Sequence, residues 1–287
     1  MTRRRVTTIL SLGVIAAMVV WALTHDPNAV DLTNRFAGPS PSTPLGTDEL
    51  GRDMLSRVVF GGFITIGAAT AALVATAVIG TALGTLAAWR GGWAGSALAL
   101  VTDSLVALPE IVVALIAVSI LGTNLFALVI AVMAIGWLPF ARLSFEIVGR
   151  LLGSDYAMAA RMTGVGPVRF IGLTLLPNAA RPLIAHAFLR FPGKLLLLSG
   201  LSFLGLGPQP PTSEWGAMLA RGVTELERHP FLPLVPGLAI VITGYAAARI
   251  GRSLEAPIAG GGVLSPGGPP RTEPLSPGQD QDRAPAR

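Results

Sequence analysis

Six membrane crossings by α-helix are what this chain encodes, and three observations carry that expectation. Of its 287 residues, 52% are hydrophobic and 13% charged, with a mean hydropathy of +0.64, which is more apolar surface than one soluble core hides. Uncharged runs near the ~20 residues that cross a bilayer recur along the chain. The polar residues gather between those runs, most densely in an island at Asp155–Asn178. The expected fold is therefore all-α and polytopic, with six transmembrane helices and a short cytoplasmic helix between the fourth and fifth.

The first expected span, Val6–Leu23, follows Arg3, Arg4 and Arg5. Secretory signal peptides begin the same way, but here the apolar run continues through Trp21 without an Ala-x-Ala-like cleavage site. The next spans are Phe63–Trp89, Ala97–Leu121 and Leu125–Phe140, the last being the shortest. Leu183–Leu206 and Phe231–Arg249 complete the set. With a cytoplasmic N-terminus, fourteen of the 21 basic residues fall on cytoplasmic segments and five on outer ones. Arg190 and Lys194 lie inside the fifth span. That bias satisfies the positive-inside rule and puts both termini in the cytoplasm. Residues 1–62 then form an N-terminal helix with an extracytoplasmic segment, and residues 63–255 a transmembrane core whose coupling loop is 142–182. Residues 256–287 are rich in Gly, Pro and Ser, a composition that buries too little apolar surface to order itself and reads as a disordered cytoplasmic tail.

Catalytic chemistry finds little support. No cysteine is present, which removes disulfides, thiolate nucleophiles and cysteine metal sites. His25, His186 and His229 have no partner at i+3 or i+4 and no carboxylate cluster, so no metal ligand and no cofactor is expected. A phosphate-cradling loop is also missing: Gly193-Lys194 is followed by Leu195, and Phe188 occupies the position of the first glycine.

Ionisable residues inside spans are costly and mark pathways. Asp103 and Glu110 fall in the third span, seven apart and so on one face of a continuous helix, with Pro109 able to open the helix beside Glu110. Arg190 and Lys194 fall four apart in the fifth, around Pro192-Gly193. Glu110, Arg190 and Lys194 are the candidate substrate-pathway residues, the two cations offset by Glu110 when the path is empty and open to an anionic group when it is not. An internal ion pair that fixes helix packing is the competing reading.

In the polar island, Ser154 or Asp155 is placed to cap a helix, Gly164 to end it, and Pro167 to open a second short helix that leads to Leu176-Pro177-Asn178. Tyr156, Ala159 and Ala160 share one face, a small-residue patch with one aromatic knob. The pattern Met158-Ala159-Ala160, three residues, Gly164, nine residues, Thr174-Leu175-Leu176-Pro177 resembles the cytoplasmic loop of ABC importer permeases, whose consensus has Glu at the first position and Ile at the position of Thr174. Two more stretches are similar to signatures of the dipeptide, oligopeptide and nickel branch, specifically its C-type permease. One runs from Leu45 to Arg57 (Leu-Gly-Thr-Asp-Glu-Leu-Gly-Arg-Asp-Met-Leu-Ser-Arg). The other comprises Leu201-Ser202-Phe203-Leu204-Gly205-Leu206-Gly207, Pro210-Pro211-Thr212 and Glu214-Trp215-Gly216. The acidic pattern usual near the C-terminus is replaced by Ala248-Arg249 and Arg252-Ser253.

The resemblance implies a type I ABC importer fold and a non-catalytic membrane subunit. By it, the helix bearing Tyr156, Met158, Ala159, Ala160 and Arg161, together with Gly164, Leu176 and Pro177, couples to an ATPase. It also implies the partners: a second homologous permease, two ABC ATPase subunits and an extracytoplasmic solute-binding protein. The substrates it suggests are small peptides or nickel and metal chelates, with no nucleic acid involved, and the location is a bacterial plasma membrane. In the residues themselves, Thr47 to Asp53 has the makings of a capped turn with an internal Arg–carboxylate pair, a structural lead into the second span in preference to a direct substrate contact. The Leu-Gly-Leu-Gly glycines suit either close helix packing or a backbone break. Two rivals are an ion-coupled secondary transporter using Glu110 and an intramembrane hydrolase using Ser119, Ser199 or Ser202 with His186.

Overall fold

A computed structural model of the chain describes residues 3–155, 158, 162 and 166–255, and no strand occurs among them. The elements in order are α1 (Arg3–Thr24), α2 (Met54–Arg90), α3 (Gly92–Val106), α4 (Glu110–Leu121), α5 (Leu125–Gly136), α6 (Leu138–Leu152), α7 (Pro167–Phe170), α8 (Leu176–Leu201), α9 (Trp215–Thr224) and α10 (Phe231–Glu255). Helices α2, the α8 region and α10 are each long and apolar enough to cross a membrane. Two bent pairs, α3 with α4 and α5 with α6, raise that number to five. The first predicted span falls on α1, which has 22 residues.

The bends correct the sequence reading of the middle spans. Between α3 and α4 the chain turns by 86° across Ala107–Pro109. The ring of Pro109 fixes φ and removes an N–H, so Glu110 opens a new helix instead of continuing the old one. Asp103 and Glu110 therefore do not share the face of one helix, as their spacing suggested. The fourth span does not stop at Phe140: a bend of 41° at Trp137, beside Pro139, leads into α6, which runs to Leu152. The fifth begins at Leu176, not Leu183, and Pro177 opens it. The short helix after Pro167 passes through a π-helical turn, Ile171–Leu175, directly into α8. A widened turn accommodates Pro177, which has no N–H to return to the preceding turn.

Helix α2 is the axis of the molecule. Its 37 residues reach about 55 Å, well beyond the ~30 Å of a hydrocarbon core, and its first turns are buried in protein at Met54–Val58. One core cluster joins α2 to α8, α9 and α10 through Leu73, Phe191, Leu195, Trp215 and Ile240. A second joins it to α4, α5 and α8 through Ala72, Val118, Leu128 and Leu198. A third, of Val148, Phe170 and Leu175 with Trp89 packed beside it, ties the ends of α2 and α6 to the chain between α7 and α8.

Gly80 and Gly84 let α6 lie flush on α2. A Cβ at Gly80 would stand 2.3 Å from the Trp137 carbonyl oxygen, and one at Gly84 would stand 2.2 Å from that of Ala141. Both obstacles are backbone, so neither can rotate away. Gly84→Ala is expected to destabilise the protein by about 1–3 kcal/mol through overpacking, whereas Gly67→Ala, where the site is open, should leave the thermal midpoint in detergent unchanged. Equal midpoints for the two variants would refute the close contact.

Candidate functional site

Between α1 and α2 the chain folds around the Asp48 carboxylate. Its Oδ1 accepts the backbone N–H groups of Leu50 at 2.9 Å and Arg52 at 3.0 Å. Its Oδ2 accepts Arg52 Nε at 2.7 Å and pairs with Arg57 Nε at 3.3 Å. Arg52 reaches Glu49 as well, at 2.9 Å. The Arg–carboxylate pair read from the sequence is present, buried, and larger than expected. Gly51 makes it possible: its φ is +72°, and any Cβ would collide with the Asp31 backbone. Asp53 then caps α2, accepting Ser56 N–H at 2.9 Å, and its Oδ2 also receives the Trp21 indole N–H at 2.9 Å, which fastens α1 to the same turn.

The second signature docks on the first. Trp215 donates its indole N–H to the Val58 carbonyl at 2.8 Å and its backbone N–H to Thr65 Oγ1 at 3.1 Å. Thr65 in turn donates to Glu214 Oε1 at 3.0 Å, while Glu214 Oε2 caps α9 through Ala217 N–H at 2.9 Å. Glu214 is fully buried, so every lone pair it spends on a donor matters. The indole lies against Gly61 and Gly62, where added Cβ atoms would come within 3.1 and 2.8 Å of it. Arg221, further along α9, faces the same region. Burial holds its guanidinium below the ordinary arginine value, partly offset by Glu49.

The Leu-Gly-Leu-Gly stretch makes the backbone break, and its second glycine packs on the preceding turn of its own segment, not on another helix. Gly205 sits at φ +84° with free space around it, a backbone break. Gly207 is a packing position, since a Cβ there would meet Ser202 Oγ at 2.0 Å.

Of the pathway candidates, the structure brings two together: Lys194 Nζ pairs with Glu110 Oε1. The lysine side chain is 6% exposed and the glutamate 40%. Gly136 makes room for the ammonium, for a Cβ there would lie 2.7 Å from Nζ. Arg190 is exposed, donates to His186 Nε2 at 3.3 Å, and meets no carboxylate among the described residues. Sequence reasoning missed Arg142, which pairs with Asp103; helical periodicity says nothing about which helices touch. Two apolar grooves of about 680 and 780 Å³ flank α2 and contain none of Glu110, Arg190 or Lys194.

Of the coupling candidates, Tyr156, Ala159, Ala160, Arg161 and Gly164 lie outside the described residues. Met158 is exposed, and its N–H donates to the Ser154 carbonyl at 3.0 Å, one turn of helix. Leu176 is partly exposed at 37% and Pro177 sits in the first turn of α8. The segment's return is anchored: Phe170 is 1% exposed and its ring lies 5.7 Å from that of Trp89.

Among the described residues the three candidate serines form no hydrolase centre with His186. Ser119 donates to the Ile116 carbonyl, and Ser199 and Ser202 are buried hydroxyls without partners among the described residues, none bonded to His186. No group of three or more metal-type ligands occurs among the described residues.

The family model described as "Binding-protein-dependent transport system inner membrane component" matches residues 80–256. The chain is 38% identical over 211 residues to the di/tripeptide transport system permease protein DppC of Pseudomonas aeruginosa, covering 74% of this chain and 70% of that one. It is 35% identical over 245 residues to the probable D,D-dipeptide transport system permease protein DdpC of Escherichia coli, 84% and 82% of the two chains. To the nickel transport system permease protein NikC of the same organism it is 32% identical over 244 residues, 85% and 88%. With most of its length matched in this way, the chain belongs to the binding-protein-dependent transport system inner membrane component family, the permeases of ABC importers.

Proposed function

We propose that this permease forms half of a translocation path for small peptides or for nickel and other metal chelates, and that separate ATPase subunits drive it. The observation that carries the reading is the family match over residues 80–256, together with relatives named for dipeptides and for nickel. It favours this reading over an ion-coupled transporter built on Glu110. The working assembly has a second homologous permease as the path's other wall, two ATPases, and an extracytoplasmic solute-binding protein that selects the cargo. Both termini face the cytoplasm, and residues 1–62, 63–255 and 256–287 serve as anchor, core and tail, with the coupling loop at 142–182.

In this reading the helix around Tyr156, Met158, Ala159, Ala160 and Arg161, ended by Gly164, sits in a groove of the ATPase. Leu176 and Pro177 begin the helix that carries the push into the membrane, and the Phe170–Trp89 contact stiffens the joint. ATP binding closes the motors and tips the two permeases from inward-facing to outward-facing; hydrolysis resets them. ATP hydrolysis belongs to the partners, since this chain has no phosphate-binding loop.

Glu110, Arg190 and Lys194 line the path in this scheme, the cations meeting a carboxylate of a peptide or a chelator. Replacing Arg190 and Lys194 together with Leu should reduce ATP-driven uptake of dipeptides and chelated nickel in proteoliposomes by at least about tenfold, each lost charge contact costing ~1 kcal/mol or more. Assembly of the complex should be retained. Uptake at the native rate would remove both cations from the path, and uptake of neither cargo by the native complex would refute the substrate assignment.

A further inference from the structure

The third span is broken, and each arm holds one carboxylate paired with a cation from a different helix. Asp103 on α3 pairs with Arg142 of α6, and Glu110 at the head of α4 pairs with Lys194 of α8. Those two helices are the ones that enter and leave the coupling segment: α6 ends at Leu152, and α8 begins at Leu176. We propose that the broken third span is a gate, latched by the Asp103–Arg142 and Glu110–Lys194 ion pairs, which make its two arms follow α6 and α8 when the coupling segment moves. The proposal rests on the transport reading above.

Three features fit a moving part better than a static wall. The arms are thinly packed, with Gly95 and Thr102 the buried residues of α3, and Ala114 and Val118 those of α4. Small residues give up few contacts when they slide. The hinge is already built, because Pro109 has no N–H with which to continue α3, and the 86° turn leaves either arm to rotate without melting a continuous helix. The Asp103–Arg142 pair is loosely enclosed, its side chains being 68% and 40% exposed. Lys194 is the deeper anchor, seated against Gly136, so the α4 arm is held more firmly than the α3 arm.

A latch makes a prediction that a substrate contact does not: what matters is that opposite charges face each other, not which side carries which. Asp103→Arg alone and Lys194→Glu alone should each reduce ATP-driven uptake at least about tenfold, since like charges then face each other across the joint. The swap Asp103→Arg with Arg142→Asp should restore most of it, while Glu110→Lys with Lys194→Glu is read by the cargo-free measurement, because Lys194 also faces the path. A readout that needs no cargo uses Leu108→Cys in this cysteine-free chain, at a hinge position that is 47% exposed. Its labelling by a membrane-impermeant maleimide in the assembled complex should change between the nucleotide-free and the ATP-vanadate-trapped states. It should stop changing in the single reversals and change again in the swaps.

Single reversals that label and transport like the native protein would overturn the latch, and so would swaps that assemble yet leave the labelling unresponsive. Where a swap does not assemble, Asp103→Cys with Arg142→Cys bridged by a cleavable bis-thiol reagent decides. Uptake that the bridge restores and its cleavage abolishes again would support the proposal, and a bridge that changes nothing would overturn it. A native complex that carries neither peptides nor chelated nickel, while its hinge labelling still follows nucleotide and pair charge, would refute the cargo assignment and leave the latch standing.

Discussion

Asp48→Ala is expected to cost about 3–5 kcal/mol of stability, the range for stranding buried charge by removing its partner. The carboxylate lies within a turn where Asp48 and Arg52 are each 3% exposed and Arg57 is 1% exposed. Removing it leaves two guanidinium groups facing each other without their shared anion. It also frees the backbone N–H groups of Leu50, which is half-buried, and of Arg52, which is buried. Arg57 already has a buried Nη2 without a partner among the described residues, so it has little with which to replace the loss. The measurement is the thermal midpoint of the detergent-solubilised protein beside that of Glu49→Ala. Glu49 shares Arg52 but is 32% exposed, and its removal should cost no more than about 1 kcal/mol. Equal midpoints for the two variants would show that the buried carboxylate does not hold the turn. The consequence reaches α1, because Asp53, five residues on, receives the Trp21 indole and caps α2.

How far the sequence anticipates this architecture depends on the range of the interaction concerned. Local features were legible. Asp48 and Arg52 are four apart and pair; Pro109 opens a helix at Glu110, and Pro167 opens the short helix before the π turn. Apolar run length located the helices that cross the membrane, because a buried backbone must satisfy itself and a helix is the local way to do so. Direction was not legible. The run Ala97–Leu121 is mostly apolar on both sides of its bend, so hydropathy sees one span where the chain makes two arms at 86°. Partnership across the sequence was not legible either. Nothing near Asp103 names Arg142, and Trp215 N–H meets Thr65 from 150 residues away. Signals for some of these contacts were present in the residue types. The adjacent Gly61 and Gly62, and the Gly80-x-x-x-Gly84 spacing, mark places on α2 where another element comes too close for a Cβ. They indicate that something approaches, without indicating what. The coupling residues Tyr156, Ala159, Ala160, Arg161 and Gly164 remain a matter of resemblance and of the proposal built on it.

Trp215→Ala is the second large effect to expect, again about 3–5 kcal/mol for loss of a buried aromatic. The side chain is 5% exposed and belongs to the cluster that joins α2, α8, α9 and α10. Gly61 and Gly62 cannot close the resulting space, since neither has a side chain to extend into it, so a cavity persists and its walls lose dispersion contacts. The Val58 carbonyl also loses the indole donor at 2.8 Å. Trp215→Phe separates these terms: it retains most of the ring volume and removes the N–H, and should cost about 1–3 kcal/mol, the penalty for a buried acceptor left unpaired plus a small void. Because α9 reaches α2 through this ring while Gly216 lies within 2.2 Å of the Ser199 carbonyl of α8 by the same Cβ measure, the two contacts hold one short helix between two long ones. If α9 is that wedge, Trp215→Ala should lower the thermal midpoint and raise proteolytic cleavage between Gly207 and Ser213 in parallel. A variant with an unchanged midpoint and unchanged cleavage would mean that the second signature does not brace the first, and that its residues serve some purpose other than holding α2 and α8 at a set distance.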